Sequence, residues 1–223
     1  MESTNPEFWD TRYRSEKMPW DFHGIPKALQ EFLRSTGTKG RVLIPGCGSA
    51  YEVEAFYDSG WEVLGLDFSQ AAVERAKQSL GTLSDKIIFG DFFKYDFGSK
   101  KFDMIYERTF LCSMSQELWS RYALRVTDLL TEKGILAGFF LYGEESDPPP
   151  YPLARGQLQT LLGNKFQLLE EKSVTDSLKV FSDKEERWEI WKKVCNYSDI
   201  RANALKKFEV LPNIEQAARK TYR

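Results

Sequence analysis

The sequence is poor in residues that many metal and catalytic sites require. It contains one histidine, His23, and three cysteines among 223 residues. One histidine excludes a multi-histidine metal centre, and a Ser-His-Asp triad would have to be built on it. The cysteines, Cys47, Cys112 and Cys195, have no Cys-x-x-Cys spacing. We therefore expect reduced thiols and no metal site.

An excess of one charge and long hydrophobic runs are also missing. The 31 lysines and arginines nearly balance the 33 aspartates and glutamates, which argues against a nucleic-acid binder with its basic excess. No apolar run approaches the roughly 20 residues that span a bilayer. The polar, acidic first residues predict no signal peptide. We therefore expect a cytoplasmic monomer that binds neither nucleic acid nor a membrane.

Short apolar strands alternate with amphipathic helices along most of the chain. The pattern predicts strands at 41–45, 61–66, 86–89, 102–106, 134–142, 166–170 and 186–192. It predicts helices at 69–80, 116–130 and 153–162, and an acidic, proline-rich loop at 144–151. This alternation is typical of an α/β fold with a doubly wound, mostly parallel seven-stranded sheet and right-handed crossovers.

The most informative stretch, VLIPGCGSAY, joins the first strand to a helix. Its glycines, Gly46 and Gly48, let the backbone turn sharply and approach a ligand. Asp67 ends the next strand, 21 positions after Gly46, close to the spacing at which a carboxylate reaches ribose hydroxyls. Asp91 follows the third strand, so these residues fall at carboxyl ends of strands, where ligands bind. Tyr51 replaces the third glycine of a dinucleotide fingerprint, which disfavours a pyrophosphate and leaves a nucleoside.

A simpler structural role stays open for each of these residues. Gly46 and Gly48 could form only a tight turn. Asp67 could start the following helix, and Asp91 could cap a turn. The glycine loop alone is weak evidence, so the prediction of a nucleoside site depends on the three positions together.

Several motifs together resemble those of one enzyme family. They are Pro-Gly-Cys-Gly at 45–48, Gly-Leu-Asp at 65–67, Gly-Asp-Phe at 90–92, Phe-Trp-Asp-Thr-Arg-Tyr at 8–13, Pro-Trp-Asp at 19–21, Phe-Asp-Met-Ile-Tyr-Glu-Arg at 102–108, Pro-Pro-Tyr at 149–151 and Arg-Trp to Trp-Lys-Lys at 187–193. The sequence resembles class I S-adenosylmethionine-dependent methyltransferases, and more closely the thiopurine S-methyltransferase family with its halide and thiol methyltransferase branch. The resemblance covers roughly residues 7–193.

The resemblance implies a Rossmann-like class I methyltransferase fold, S-adenosylmethionine as cofactor and S-adenosylhomocysteine as product. Its expected contacts are Trp9, Tyr13 and Trp20 covering the cofactor, Gly46 at the methionine portion, Asp67 at the ribose, Asp91 and Phe92 at the adenine, and Arg108 near the amino-acid end. Residues 1–193 would form one domain, with 1–40 as an aromatic flap and helix over the site, and 194–223 would be a helical extension.

Arg108 is the expected catalytic residue, because the resemblance implies a position near the acceptor. A surface ion pair with a neighbouring acid such as Glu107 is the simpler alternative. The pair Glu107-Arg108 is similar to the thiopurine branch, whereas Pro-Trp-Asp and Pro-Gly-Cys-Gly look more like the halide branch. Tyr13 stands where a tryptophan is usual. The acceptor therefore stays open among a small-molecule thiol, a thiopurine, a halide and thiocyanate.

In-line methyl transfer to an anion needs neither a metal nor a base, which suits a chain with one histidine. His23 could assist deprotonation of a neutral thiol, although a lone loop histidine is more often structural. Two alternatives of other classes remain. A nucleotide-dependent oxidoreductase would need a pyrophosphate loop, which Tyr51 disfavours. A non-catalytic nucleoside-binding module would bind the cofactor without transferring a methyl group.

Overall fold

Seven strands form one mixed sheet in the computed structural model, which describes residues 3–37 and 39–194. The strands are β1 Arg41–Pro45, β2 Glu62–Asp67, β3 Ile87–Phe89, β4 Phe102–Arg108, β5 Leu130–Tyr142, β6 Phe166–Ser173 and β7 Glu185–Lys193. Their order is β3-β2-β1-β4-β5-β7-β6. Pairs from β3 to β5 are parallel, and β7 runs antiparallel to both neighbours. The prediction of a mostly parallel seven-stranded sheet is confirmed.

Six α-helices accompany the sheet in the described residues. They are α1 Pro6–Arg14, α2 Lys27–Ser35, α3 Tyr51–Asp58, α4 Gln70–Leu80, α5 Trp119–Leu129 and α6 Gln157–Leu162. The predicted helix at 69–80 is confirmed as α4: the Ser69 side chain caps it by accepting a hydrogen bond from the Ala72 N–H. None of the helices in the described ranges has the length and apolar content that crossing a membrane requires.

Both faces of the sheet are covered, which explains why its central strands are apolar without alternation. Ile105 and Phe140 are buried on the face that carries α5. Met104 and Tyr106 are buried on the opposite face, where Phe56 of α3 packs. Since both faces are covered, a ligand can approach only at an edge of the sheet. Ligand sites in such folds lie at the carboxyl ends of the strands, so we expect the functional site there.

Two helix predictions are wrong at their ends. The helix predicted at 153–162 begins only at Gln157, because Leu153 forms a parallel bridge to Tyr142 and Gly156 adopts a left-handed conformation, φ 77°, just before the helix. The helix predicted at 116–130 begins as a 3-10 turn and ends at Leu129, since Leu130 is extended and starts β5. The predicted extension lies outside the described residues from 195 onward, so the domain boundary stays a prediction.

Candidate functional site

One cavity of about 820 Å³ opens at the carboxyl ends of the parallel strands, within the roughly 300–1,000 Å³ usual for small-molecule sites. Gly46 follows β1, Asp67 ends β2, Asp91 follows β3 and Phe110 follows β4, and all four residues line the cavity. The structure therefore brings together the three points that the sequence predicts at neighbouring strand ends.

The loop after β1 needs its glycines because two aromatic side chains lie against it. Gly46 and Gly48 have φ of 61° and 52°, in the left-handed region that favours glycine. A Cβ on Gly46 would lie 2.5 Å from the Phe110 ring, and one on Gly48 would lie 2.5 Å from the Tyr13 hydroxyl. Any side chain at either position would displace an aromatic wall of the cavity.

Asp67 is the buried acid of the cavity and binds both neighbouring loops. One of its carboxylate oxygens accepts a hydrogen bond from the Gly48 N–H at 3.0 Å, and the other accepts one from the Ser69 N–H at 2.9 Å. Burial raises the pKa of Asp67 to about 6, against the effect of these hydrogen bonds. Since each carboxylate oxygen can accept more than one hydrogen bond, both can still receive ligand hydroxyls.

Asp91 and Phe92 form a second polar and aromatic part of the wall. Asp91 Oδ1 accepts from the Phe93 N–H at 2.8 Å, and its other oxygen lies 3.2 Å from Lys94 Nζ. Phe92 is buried, and its ring meets that of Phe110 edge to face at 5.3 Å. This part of the cavity offers a carboxylate beside a flat apolar surface, which suits a heterocyclic base.

Three aromatic residues of the N-terminal segment, defined here as residues 3–26, close one side of the cavity. The Trp20 ring meets the Trp9 ring at 5.2 Å and the Tyr13 ring at 6.2 Å, both edge to face. Trp9 Nε1 donates to the Ser3 carbonyl at 2.7 Å. Burial raises the pKa of Tyr13, so its hydroxyl stays protonated. The three aromatic residues expected near the ligand therefore lie together.

Arg108 ends β4 but is absent from the described residues that line the cavity. Its Nη1 lies 3.9 Å from Glu52 Oε1 of α3, and its guanidinium lies over the rings of Phe22 and Phe139 at 4.8 and 5.7 Å. Nε and Nη2 are buried without a hydrogen-bond partner in the described part of the chain. The simpler alternative, an ion pair with a neighbouring acid, is found with Glu52 and not with Glu107, and this pair is buried rather than at the surface.

His23 also lies away from the described cavity wall. Its side chain is 70% exposed, with Nδ1 3.6 Å from Asp21 Oδ1 and 3.4 Å from the Tyr51 hydroxyl. The structure therefore does not bring the histidine to the predicted ligand. Cys47 lies within the glycine loop with its side chain buried, and burial raises the pKa of its thiol, as expected of a packing residue.

Part of the cavity wall is built by residues to which the sequence analysis assigns no role at the site. They are Cys112, Ser113 and Met114 after β4, Pro149 and Pro150 after β5, and Val180 and Phe181 before β7. Cys112 and Phe181 belong to one apolar cluster with Trp20, and this part of the wall is called the apolar end. The proline-rich loop at 144–151 was the one available signal, and its prolines do reach the cavity. Val180 and Phe181 carry no local pattern that separates them from ordinary core residues.

Glu107 holds the residues after β4 in position through hydrogen bonds. One carboxylate oxygen accepts from the N–H groups of Phe110 and Leu111 at 2.9 and 3.0 Å, and the other accepts from the Tyr122 hydroxyl at 2.9 Å. Burial raises the pKa of Glu107 to about 7. Because Phe110 presses on Gly46, Glu107 sets the position of the wall that both ends of the cavity share.

Comparison with known proteins finds one matching family model and several named relatives. Residues 4–194 match the model of the family described as thiopurine S-methyltransferase. The protein named "Probable thiol methyltransferase 2" from Arabidopsis thaliana is 33% identical over 161 residues, 69% of this chain and 70% of the relative. Thiocyanate methyltransferase 1 from Brassica oleracea is 27% identical over 189 residues, 81% of this chain and 83% of the relative.

The fold has counterparts among solved structures. A crystal structure of Burkholderia thailandensis 1,6-didemethyltoxoflavin-N1-methyltransferase, with bound 1,6-didemethyltoxoflavin and S-adenosylhomocysteine, matches with a TM-score of 0.67. The identity is 15%, and the match covers 85% of this chain and 87% of that chain. At this identity the likeness shows the fold alone, and the predicted class I arrangement is confirmed.

Proposed function

The chain belongs to the thiopurine S-methyltransferase family and is an S-adenosylmethionine-dependent methyltransferase, and from that premise we propose that it methylates a small thiol or a similar soft sulfur anion. The observation that carries this proposal is the apolar end of the cavity. Among the described residues that line the cavity there is no histidine, and the only carboxylates are Asp67 and Asp91, which we assign to the cofactor. An acceptor at that end has no nearby base, so it must arrive already deprotonated, as thiolates do.

The cavity residues fit the cofactor. When bound, S-adenosylmethionine supplies a methyl group on a positively charged sulfur. We propose that Asp67 accepts hydrogen bonds from the ribose hydroxyls, that Asp91 and Phe92 hold the adenine, and that the loop at Gly46 approaches the methionine portion. The two left-handed glycines support this assignment, because they leave the backbone bare where a ligand would approach.

The proposal also assigns a role to the aromatic residues Trp9, Tyr13 and Trp20. Their rings cover the cavity and exclude water, and aromatic faces attract a sulfonium cation. In-line transfer would require these walls to hold the acceptor sulfur close to the methyl group that the bound cofactor supplies. No proton has to move in this arrangement, which agrees with the exposed position of His23.

We also propose that the charge of Arg108 attracts the acceptor anion, although its side chain does not line the described cavity. Its two unpartnered nitrogens have capacity for an anion, and Phe110, two positions on, lines the cavity. Arg108→Met should slow transfer while the affinity for S-adenosylhomocysteine changes little. Because Glu52 would be left without its partner, the double variant Arg108→Met/Glu52→Gln separates lost stability from lost turnover. Wild-type turnover in both variants would remove Arg108 from the site.

An acceptor panel tests the proposed function directly. Transfer from labelled S-adenosylmethionine would be measured for hydrosulfide, an alkyl thiol, thiophenol and a thiopurine, with phenol as the matched oxygen control. We expect methylation of thiols and none of phenol, with rates that follow the thiolate fraction as the pH is raised. Equal transfer to phenol, or no transfer while S-adenosylhomocysteine binds, would contradict the proposal.

Thiocyanate or a halide is the second candidate acceptor. The likeness to thiocyanate methyltransferase 1 from Brassica oleracea favours it, and such anions also need no base. Thiocyanate and iodide in the same panel decide between the two candidates. The cytoplasmic location, the monomeric state and the single domain over 1–193 remain predictions.

A further inference from the structure

The N-terminal segment is attached at one end by Asp10. This residue of α1 accepts a hydrogen bond from the Ser69 hydroxyl at 2.6 Å and one from the Ala71 N–H at 3.0 Å, both at the same oxygen. Burial alone would raise the pKa of Asp10, but its hydrogen bonds and the charge of Arg14 together hold the pKa below its usual value. A 2.6 Å contact has the length of a charge-assisted hydrogen bond, so α1 is firmly joined to the start of α4.

Asp21 attaches the other end of the segment. Its Oδ2 accepts from the Ser49 hydroxyl at 2.6 Å, and its Oδ1 accepts from the His23 N–H at 2.8 Å. The Asp21 side chain is only 4% exposed, so water competes little for these bonds. This attachment joins the segment to the glycine loop after β1.

Both attachments lead to the same carboxylate. The Ser69 N–H donates to one oxygen of Asp67, and the N–H of Gly48, next to Ser49, donates to the other. Asp10 and Asp21 are therefore connected through Ser69, Asp67 and the adjacent residues Gly48 and Ser49. Of the three aromatic residues of the N-terminal segment that line the cavity, Tyr13 and Trp20 lie between the two attachments along the chain, and Trp9 immediately precedes Asp10.

We infer that Asp10 and Asp21 are positioning residues that hold the N-terminal segment closed over the cofactor. The two carboxylates do not line the described cavity, and they act through Trp9, Tyr13 and Trp20, which lie beside or between them in the chain. Closure slows cofactor release, because Trp9, Tyr13 and Trp20 must move away before the ligand leaves. The inference rests on the proposed function, since it takes the cavity to be the cofactor site.

The test measures release of S-adenosylhomocysteine by stopped-flow tryptophan fluorescence, with affinity from calorimetry. Asp10→Ala should raise the dissociation rate about tenfold, as expected for loss of a hydrogen bond to a charged group. It should raise the KM for S-adenosylmethionine by a similar factor and leave kcat within about twofold of wild type. Asp10→Asn should restore release to near the wild-type rate, because one amide oxygen can accept both bonds.

Arg14→Ala is the matched control. Arg14 is exposed and pairs with Asp10 at 3.5 Å, so its removal leaves the bond to Ser69 in place. The control should release the ligand at the wild-type rate. Should Asp10→Ala fail to fold, Ser49→Ala opens the other attachment by removing one hydroxyl. Its control is Ser35→Ala, because the Ser35 hydroxyl donates to the nearby Phe32 carbonyl and makes no contact with the cavity in the described part of the chain.

The outcomes separate the two proposals. A wild-type protein that does not bind S-adenosylhomocysteine would refute the proposed function itself. Wild-type binding combined with unchanged release in Asp10→Ala, or in Ser49→Ala if that variant is the one that folds, would overturn the inference. A lower melting temperature of the ligand-free variant with unchanged release would likewise show a purely structural role.

Discussion

The two ends of the cavity are built by different physical means. At the end proposed for the cofactor, Asp67 and Asp91 accept hydrogen bonds from backbone N–H groups within three short loops. At the end proposed for the acceptor, apolar side chains such as Met114 and Phe181 come from segments far apart in the chain. The comparison teaches that a cofactor site can be encoded by local motifs, whereas an acceptor site depends on how distant segments pack.

Glu107 offers the largest expected effect, because it supports the wall that both ends share. Glu107→Ala leaves the N–H groups of Phe110 and Leu111 and the Tyr122 hydroxyl without their acceptor. We expect the free energy of unfolding to fall by about 3 kcal/mol, measured by urea denaturation at pH 8. Glu107→Gln should lose much less, since its carbonyl oxygen keeps both backbone bonds. A loss below about 0.5 kcal/mol in Glu107→Ala would contradict this role.

Asp67→Ala should affect the cofactor end alone. Loss of the carboxylate removes the proposed ribose contacts and two bonds to the loops, so the affinity for S-adenosylhomocysteine should fall about thirtyfold, or about 2 kcal/mol. Calorimetry gives the affinity, and circular dichroism should show an intact fold. Asp85→Ala, an exposed aspartate paired with Lys86, is the control. Unchanged affinity in Asp67→Ala would refute the ribose assignment.

Lowering the pH tests the cofactor end of the cavity without a mutation. The pKa of Asp67 is about 6 in the fold, so its protonation should weaken cofactor binding as the pH falls below 6, by up to about tenfold per unit. The contribution of Asp67 to the free energy of unfolding changes with pH in the opposite direction to its contribution to cofactor binding. Because the folded pKa lies above the usual 3.8, that contribution is present at acid pH and is lost as the pH rises through 6.

Calorimetric titrations with S-adenosylhomocysteine between pH 5 and 8 check this expectation. Asp67→Asn should flatten the pH dependence of the affinity, which separates Asp67 from Asp91. A wild-type affinity that stays constant down to pH 5 would mean that the Asp67 carboxylate does not hold the ligand.

Val180→Ala gives the smallest expected effect and concerns the acceptor end alone. Val180 lines the cavity and is 40% exposed, so stability should change by less than about 0.5 kcal/mol. The KM for a bulky thiol should rise about twofold to threefold, since one apolar contact is lost. Affinity for S-adenosylhomocysteine should not change. A larger effect on the cofactor than on the thiol would break the division between the two ends.

The predictability of each region follows from how its residues interact. The strand at 41–45, the capped helix α4 and the convergence of Gly46, Asp67 and Asp91 were predicted, because periodicity and loop chemistry act within a few residues. Arg108 shows the limit of such prediction. Its position in the sequence predicts that it lies at a strand end. Its guanidinium, however, contacts the ring of Phe22 and the carboxylate of Glu52 and does not line the described cavity.

The sequence by itself determined the α/β fold, the glycine loop and the acids at the strand ends, since these depend on local propensity and on the spacing of strands. Only the tertiary structure decided that Tyr13 and Phe110 press on the two glycines, and that Asp10 and Asp21 bond to serines in the two cofactor loops. Asp10 and Ser69 lie 59 positions apart in the chain. No local pattern encodes a contact over that separation, because packing of the N-terminal segment against the sheet edge brings the two side chains together.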